Sequence, residues 1–167
     1  MARDRSPEEV VATLNRFFTA VVDTIAAEGG WVNEFEGDGA LCVFGAPADL
    51  PDHTVCALRA AAALQQRLQR LDIDAGIGVA SGDVVAGNVG SETRYEYTVI
   101  GHPVNVAARL TDAAKLQPSR ALSAVHGEGW EPAGTLELRG VGDVEVYAPA
   151  TGSPAAPAPA RSPRTAP

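Results

Sequence analysis

The first part of the chain carries hydrophobic residues at intervals of three and four, which is the spacing of one helical face. Ser6-Pro7-Glu8-Glu9 precedes this run and has the composition of a capping box with proline in the first turn. Gly29-Gly30 follows it and is typical of a helix end. We therefore predict a first helix whose buried face is formed by Val10, Leu14, Phe17, Val21 and Ile25.

Two further segments have helical spacing. One runs from about Pro51 to Leu71, and the other begins near Pro103 and ends near Leu116. In the former, one stripe is formed by Ala57, Ala61, Leu64, Leu68 and Leu71. Both segments are predicted to pack one apolar face on the rest of the domain.

The remaining apolar runs are short, rich in β-branched residues and bounded by Gly, Pro and Asp, which favours strands. They lie near Trp31–Glu36, Ala40–Phe44, Ile73–Val79, Val84–Val89, Tyr95–Ile100, Leu136–Arg139 and Val144–Tyr147. The order of elements predicts an α+β fold with helices on one face of a mostly antiparallel sheet.

Composition limits the function classes. The 167 residues suffice for one domain, expected over residues 1–149, and the Pro- and Ala-rich stretch 150–167 is predicted to be a disordered tail. A formal net charge of -8 argues against a nucleic-acid partner.

Cys42 and Cys56 are expected to be small buried hydrophobes of a reducing compartment. No long apolar run is found, so a cytoplasmic chain without a membrane segment is predicted.

The first predicted hairpin carries unusual chemistry. Glu34, Glu36 and Asp38 stand within five residues, and Asp38 is followed by Gly39 in a strong hairpin signal. A solvated rim explains such a pattern, and so does a carboxylate mounted on a rigid turn to hold a cation. The hairpin alone leaves both readings open.

Three stretches together resemble the catalytic domains of class III nucleotide cyclases, and most of all those of bacterial adenylate cyclases. They are "GGWVNEFEGDGALCVFGAP", "IDAGIGVASGDVVAGNVGSE" and "YEYTVIGHPVNVAARL", and the resemblance extends over Ser6 to Ala148. It implies a ferredoxin-like core and head-to-tail pairing of two catalytic domains with shared active sites. It also implies attack of a ribose 3′-hydroxyl on the α-phosphate of ATP or GTP, with release of pyrophosphate.

The resemblance assigns the cation and phosphate chemistry to particular residues. Two Mg²⁺ or Mn²⁺ ions are expected in the family, held by two aspartates, and Asp38 matches the second of them. The first belongs on an apolar strand before the first helix. Here Met1 to Arg5 occupies that place, and Asp4 in this polar run is not assigned the role. Either the domain is shortened at its N-terminus or another segment supplies the strand.

Further positions match groups that contact the nucleotide. Asn105 and Arg109 lie four apart on one helical face, where the family orients the ribose and stabilises charge on the α-phosphate. Arg139 matches a basic residue that holds the triphosphate, although a solvated edge arginine explains it almost as well. Glu34 and Thr98 match the two residues that recognise the base. Glutamate is typical of guanylate cyclases, whereas Thr98 fits either purine.

Two functions follow from the resemblance. The first is a homodimeric cyclase making cyclic AMP, or else cyclic GMP. Each cleft would take Asp38 from one chain and the remaining residues from the other. The second is a degenerate cyclase domain that binds nucleotide or pairs with an intact partner in a heterodimer. The missing strand and Glu34 favour this second function, whereas Asp38, Asn105 and Arg109 favour the first. A plain α+β interaction domain would require all three stretches to match by coincidence.

Overall fold

The computed structural model describes residues 6–91 and 94–150, which form three helices and eight strands. The helices are α1 (Pro7–Ala27), α2 (His53–Arg70) and α3 (His102–Ala114). The strands are β1 (Trp31–Glu36), β2 (Gly39–Val43), β3 (Ile77–Val79), β4 (Val85–Ser91), β5 (Arg94–Ile100), β6 (Ala121–Ser123), β7 (Trp130–Leu138) and β8 (Gly142–Pro149). Asp4 and the predicted tail from residue 151 onward lie outside the described residues.

The predicted α+β architecture is confirmed. β1 pairs with β2 and β4 with β5, each as an antiparallel hairpin, while a third sheet has the order β3-β6-β8-β7. Among the strands of residues 6–91 and 94–150, only β3 and β6 pair in parallel. The sheets are therefore mostly antiparallel, and the helices supply apolar surfaces that pack on the β1–β2 hairpin and the four-stranded sheet.

Helix α1 begins as its sequence predicts. The Ser6 hydroxyl accepts from the Glu9 backbone N–H, and the Glu9 carboxylate accepts from the Ser6 N–H at 2.8 Å. Phe17, Val21 and Ile25 are buried against α2. By length and composition alone α1 could cross a membrane, a property it shares with buried helices of soluble proteins. Part of this apolar surface packs on α2, whereas Val11 and Val22 remain exposed.

Helix α3 lies directly on β3 because β3 has almost no side chains on that side. A Cβ atom on Gly78 would overlap the carbonyl oxygen of Ala107, and one on Gly76 would overlap that of Thr111. The two glycines thus permit a close approach of helix backbone to strand. Val106 and Leu110 fill the core on the inner side of α3.

Several predicted boundaries were wrong. The strand expected from Ile73 begins only at Ile77, because the Ile73 N–H donates to Leu68 O and closes the turn after α2. β6 was missed, since its three residues are defined by pairing with distant strands rather than by a local pattern. β7 and β8 extend well beyond the predicted late strands because each pairs along nearly the whole length of the other.

Each of the three sheets is open among the described residues, and β2 and β3 are two of the strands that pair on one side only. β2 pairs only with β1, and β3 pairs only with β6. Residues from both strands nevertheless pack on the same cluster between α1 and α2.

The cysteines behave as small hydrophobes. Cys56 is buried and Cys42 is half-buried, and both are free thiols. Burial raises the pKa of the Cys42 thiol to about 12. A thiol that resists ionisation is a poor nucleophile, so Cys42 contributes to packing rather than to chemistry.

Candidate active site

Asp38 stands at the tip of the β1–β2 hairpin. Glu36 pairs with Gly39, so the two loop residues are Gly37 and Asp38 rather than the Asp-Gly pair that the sequence suggested. Gly37 has φ +59°, and glycine with positive φ in the first loop position is typical of a type II′ turn. The Asp38 side chain is exposed at this tip. A tight turn therefore holds a carboxylate beyond the end of the sheet.

Glu34 lies farther down the same strand, in an acidic setting. It is half-buried opposite Leu41. Burial raises the pKa of the Glu34 carboxyl above its usual range, and repulsion from Glu36 and Glu96 adds to the rise. A partly desolvated carboxylate with acidic neighbours attracts hydrogen-bond donors strongly.

Thr98 is tied to this strand by a residue that sequence reasoning missed. Asn33, next to Glu34, donates from Nδ2 to Thr98 Oγ1 at 3.3 Å. The ladder between β1 and β2 is irregular between Val32 and Glu34, so Asn33 is an extra residue in a β-bulge. Trp31 also packs against Tyr97 of β5, with ring centroids 5.9 Å apart. The structure thus brings both predicted base-recognition residues into one region.

The predicted phosphate-binding residues of α3 share an outer face. Asn105 and Arg109 are exposed, one helical turn apart, while Val106 and Leu110 face inward. In residues 6–91 and 94–150, Arg109 makes no ion pair. Its guanidinium is therefore available to an outside anion.

Arg139 lies at the start of the β7–β8 turn. Its side chain is exposed beside Gly140 and Val141, and no acidic partner holds it within the described parts of the chain. No hydrogen bond within those parts joins Asp38, Arg109 and Arg139 to one another. Within one chain, these three side chains are therefore not linked to one another.

The residues described do not by themselves fit the two-ion site that the resemblance implies. They contain no group of three His, Cys, Asp or Glu side chains arranged to hold a metal ion. Of the two aspartates that the resemblance implies, Asp38 is the one identified in this chain, and it would supply one carboxylate to the ion. That suits a Mg²⁺ or Mn²⁺ ion held mainly by substrate phosphates, which takes only one or two protein carboxylates.

Comparison of the chain with known protein families finds a match. The family described as "Adenylate and Guanylate cyclase catalytic domain" matches residues 1–148. The chain belongs to this family. The resemblance of the three sequence stretches and the α+β fold are therefore confirmed.

Individual relatives agree with the assignment. The guanylyl cyclase Cya2 is 31% identical with a TM-score of 0.75, and the match covers 90% of this chain and 85% of that one. The adenylyl cyclase CyaB from P. aeruginosa has a TM-score of 0.80 at 21% identity, over 92% of this cyclase domain and 88% of CyaB. The latter likeness concerns the fold alone.

A longer relative shows how much of a protein such a domain occupies. The uncharacterized protein Rv1318c of Mycobacterium tuberculosis is 50% identical over 125 residues, which are 74% of this chain. They are only 23% of Rv1318c. The matched residues of this chain thus span under a quarter of the length of this relative.

Proposed function

We propose that this domain converts a purine nucleoside triphosphate to its 3′,5′-cyclic monophosphate and pyrophosphate. The ribose 3′-oxygen forms a bond to the α-phosphorus and loses its proton to solvent. The bond from the α-phosphorus to the bridging oxygen breaks, and pyrophosphate carries that oxygen away. Nothing is oxidised or reduced, so the protein has to align the reactants and stabilise charge.

The exposed face of α3 carries this proposal. Arg109 and Asn105 point away from the core on a helix held tightly by Gly76 and Gly78 of the β3 region. A guanidinium in such a position stays charged and donates to phosphate oxygens as negative charge builds on the α-phosphate. Asn105, one turn earlier, can donate to or accept from the ribose.

The proposed site is shared between two chains in head-to-tail order. Asp38 of one chain faces the α3 residues, Glu34, Thr98 and Arg139 of the other. The β4–β5 hairpin supports pairing because it exposes apolar side chains: Val85 and Ile100 are opposite each other and 75% and 55% exposed. Exposed apolar positions in one patch are typical of an interaction surface.

A divalent ion would add Lewis acid chemistry at the triphosphate. Asp38 is the residue that would hold it, together with oxygens of the bound nucleotide. The limited set of carboxylates favours a second candidate function, in which the domain binds nucleotide or completes the site of an intact cyclase partner without turnover of its own.

The test is cyclic nucleotide formation by the purified chain with Mn²⁺ and either ATP or GTP, separated by chromatography. We expect Arg109→Ala to lower kcat by about 10²–10³, the usual loss when one donor to a developing charge is removed. Arg70→Ala is the matched control, because Arg70 is an exposed arginine at the end of α2 without an ion pair among the described residues. Its activity should stay at the wild-type level.

Two outcomes separate the candidates. Product from the chain alone, lost in Arg109→Ala and kept in Arg70→Ala, supports turnover by this domain. If product forms only when an intact cyclase domain is added, the domain is a partner. Equal activity of the two variants would contradict the role of α3.

A further inference from the structure

The contact between Asn33 and Thr98 is a directional hydrogen bond. Asn33 Nδ2 is the donor and Thr98 Oγ1 is the acceptor, 3.3 Å apart. The other atom of the amide, Oδ1, is buried and has no hydrogen-bond partner. Most buried polar side-chain atoms are paired, so this arrangement needs an explanation.

The direction of this bond determines what Thr98 can offer to a ligand. A threonine hydroxyl has one hydrogen to donate and two lone pairs to accept. Here a lone pair is used by Asn33, and the hydrogen has no acceptor within the described parts of the chain. Thr98 is therefore left with an unused donor.

Rotating the Asn33 amide by half a turn would reverse this polarity. Oδ1 would then accept from the Thr98 hydroxyl, and Nδ2 would become the buried atom without a partner. Unpaired buried N–H groups are rarer in proteins than under-satisfied carbonyl oxygens. The orientation that satisfies Nδ2 is thus the more stable one, and it keeps Thr98 as a donor.

We infer that Asn33 is a positioning residue that determines base specificity by presenting Thr98 as a hydrogen-bond donor, which suits guanine rather than adenine. This inference rests on the proposed cyclase function. Guanine has an acceptor at O6 and amino hydrogens at N2, whereas adenine has a donor at N6. Thr98 would donate to O6 while the half-buried Glu34 carboxylate accepts from the guanine N–H groups. An adenine amino group would instead meet a donor.

The experiment measures binding of the α,β-methylene analogues of GTP and ATP, which cannot release pyrophosphate, in the presence of Mn²⁺. The wild-type chain should bind the GTP analogue more tightly. Asn33→Leu frees the Thr98 hydroxyl to rotate, so the ratio of the two affinities should fall about tenfold. Asn33→Asp can only accept, so it should shift the ratio further toward the ATP analogue.

Two controls separate specificity from structure. Asn88→Leu makes the same change on β4, at an exposed position in the sheet that contains Thr98, and should leave the ratio unchanged. In the Thr98→Val background, Asn33→Leu should have no further effect on the ratio, because the hydroxyl that it releases is absent. A purely structural role would weaken both analogues equally.

The outcomes distinguish this inference from the proposed function. If the analogues bind but the ratio is the same in wild type, Asn33→Leu and Asn33→Asp, the role of Asn33 is overturned and the cyclase proposal stands. Tighter binding of the ATP analogue than of the GTP analogue by the wild-type chain also overturns the role of Asn33. If neither analogue binds to the wild-type chain, the proposed function and this inference both fail. If Asn33→Asp does not fold, Asn33→Leu alone decides.

Discussion

At the scale of single residues, the candidate site depends on carboxylates whose surroundings differ. Asp38 is exposed at a turn, whereas Glu34 is half-buried among Glu36 and Glu96. Removing a carboxylate from water disfavours its charged form. The partly buried, charged Glu34 carboxylate therefore lowers the stability of the folded domain at neutral pH.

That cost predicts a pH dependence. The raised pKa of Glu34 means that the folded state binds the carboxyl proton more tightly than the unfolded chain does. The loss of folding stability caused by the charged carboxylate is therefore complete at pH values above the pKa of the folded state, and it vanishes below the pKa of the unfolded chain. Glu34→Gln should raise the midpoint of thermal unfolding at pH 7, and the gain should shrink as the pH falls through the carboxyl range. Calorimetry at several pH values checks this.

The control is Glu137→Gln, which removes the same formal charge from an exposed position on β7. A gain for Glu34→Gln that is equally large in acid would contradict desolvation as its cause.

The sequence identified Glu34 and Thr98 but not Asn33. The reason is physical. Strand alternation and motif spacing predict the side-chain directions of a regular strand, but Asn33 occupies a β-bulge that interrupts the regular ladder of β1. Its partner, Thr98, is 65 residues away in the chain. A local pattern contains no signal for such a pairing.

At the scale of elements, the β1–β2 hairpin depends on one backbone conformation. Gly37 has φ +59°, and no heavy atom beyond the glycine and its two chain neighbours lies within 4 Å of the position that a Cβ would take. A side chain at this position would therefore strain the backbone without clashing with a neighbour. Gly37→Ala should lower the free energy of unfolding by about 1–2 kcal/mol, the cost of the left-handed region for an L-residue. Urea denaturation followed by circular dichroism measures it.

Gly39→Ala is the matched control two residues away. Gly39 does not have positive φ, and its added Cβ would lie 3.4 Å from the Glu36 carbonyl oxygen, an ordinary contact. It should lose clearly less stability than Gly37→Ala. Equal losses would mean that turn conformation is not what fixes Asp38.

Elements with their own periodicity were predictable, and elements defined by distant pairing were not. α1 follows from its capping box and its apolar face. β6 is three residues long and exists through its ladders to β3 and β8. Conversely, the predicted strand at Ile73 lost its first residues to the turn that closes α2.

At the scale of the whole molecule, the central claim is that two chains share each site. Sequence resemblance supplied the list of residues, but no single-chain pattern says which chain contributes each one. Within the described residues Asp38 and Arg109 have no hydrogen bond to each other. A symmetric pair with two identical clefts predicts that each cleft takes one of them from each chain.

Mixing two inactive variants tests this claim most directly. Asp38→Ala and Arg109→Ala should each be inactive alone, since every cleft lacks one group. In a freely exchanged equal mixture, half the dimers are mixed and one of their two clefts has both residues. Cyclic nucleotide formation should therefore return to about one quarter of the wild-type rate. A mixture that stays as inactive as its components, under conditions where the wild-type chain is active, would contradict the shared site.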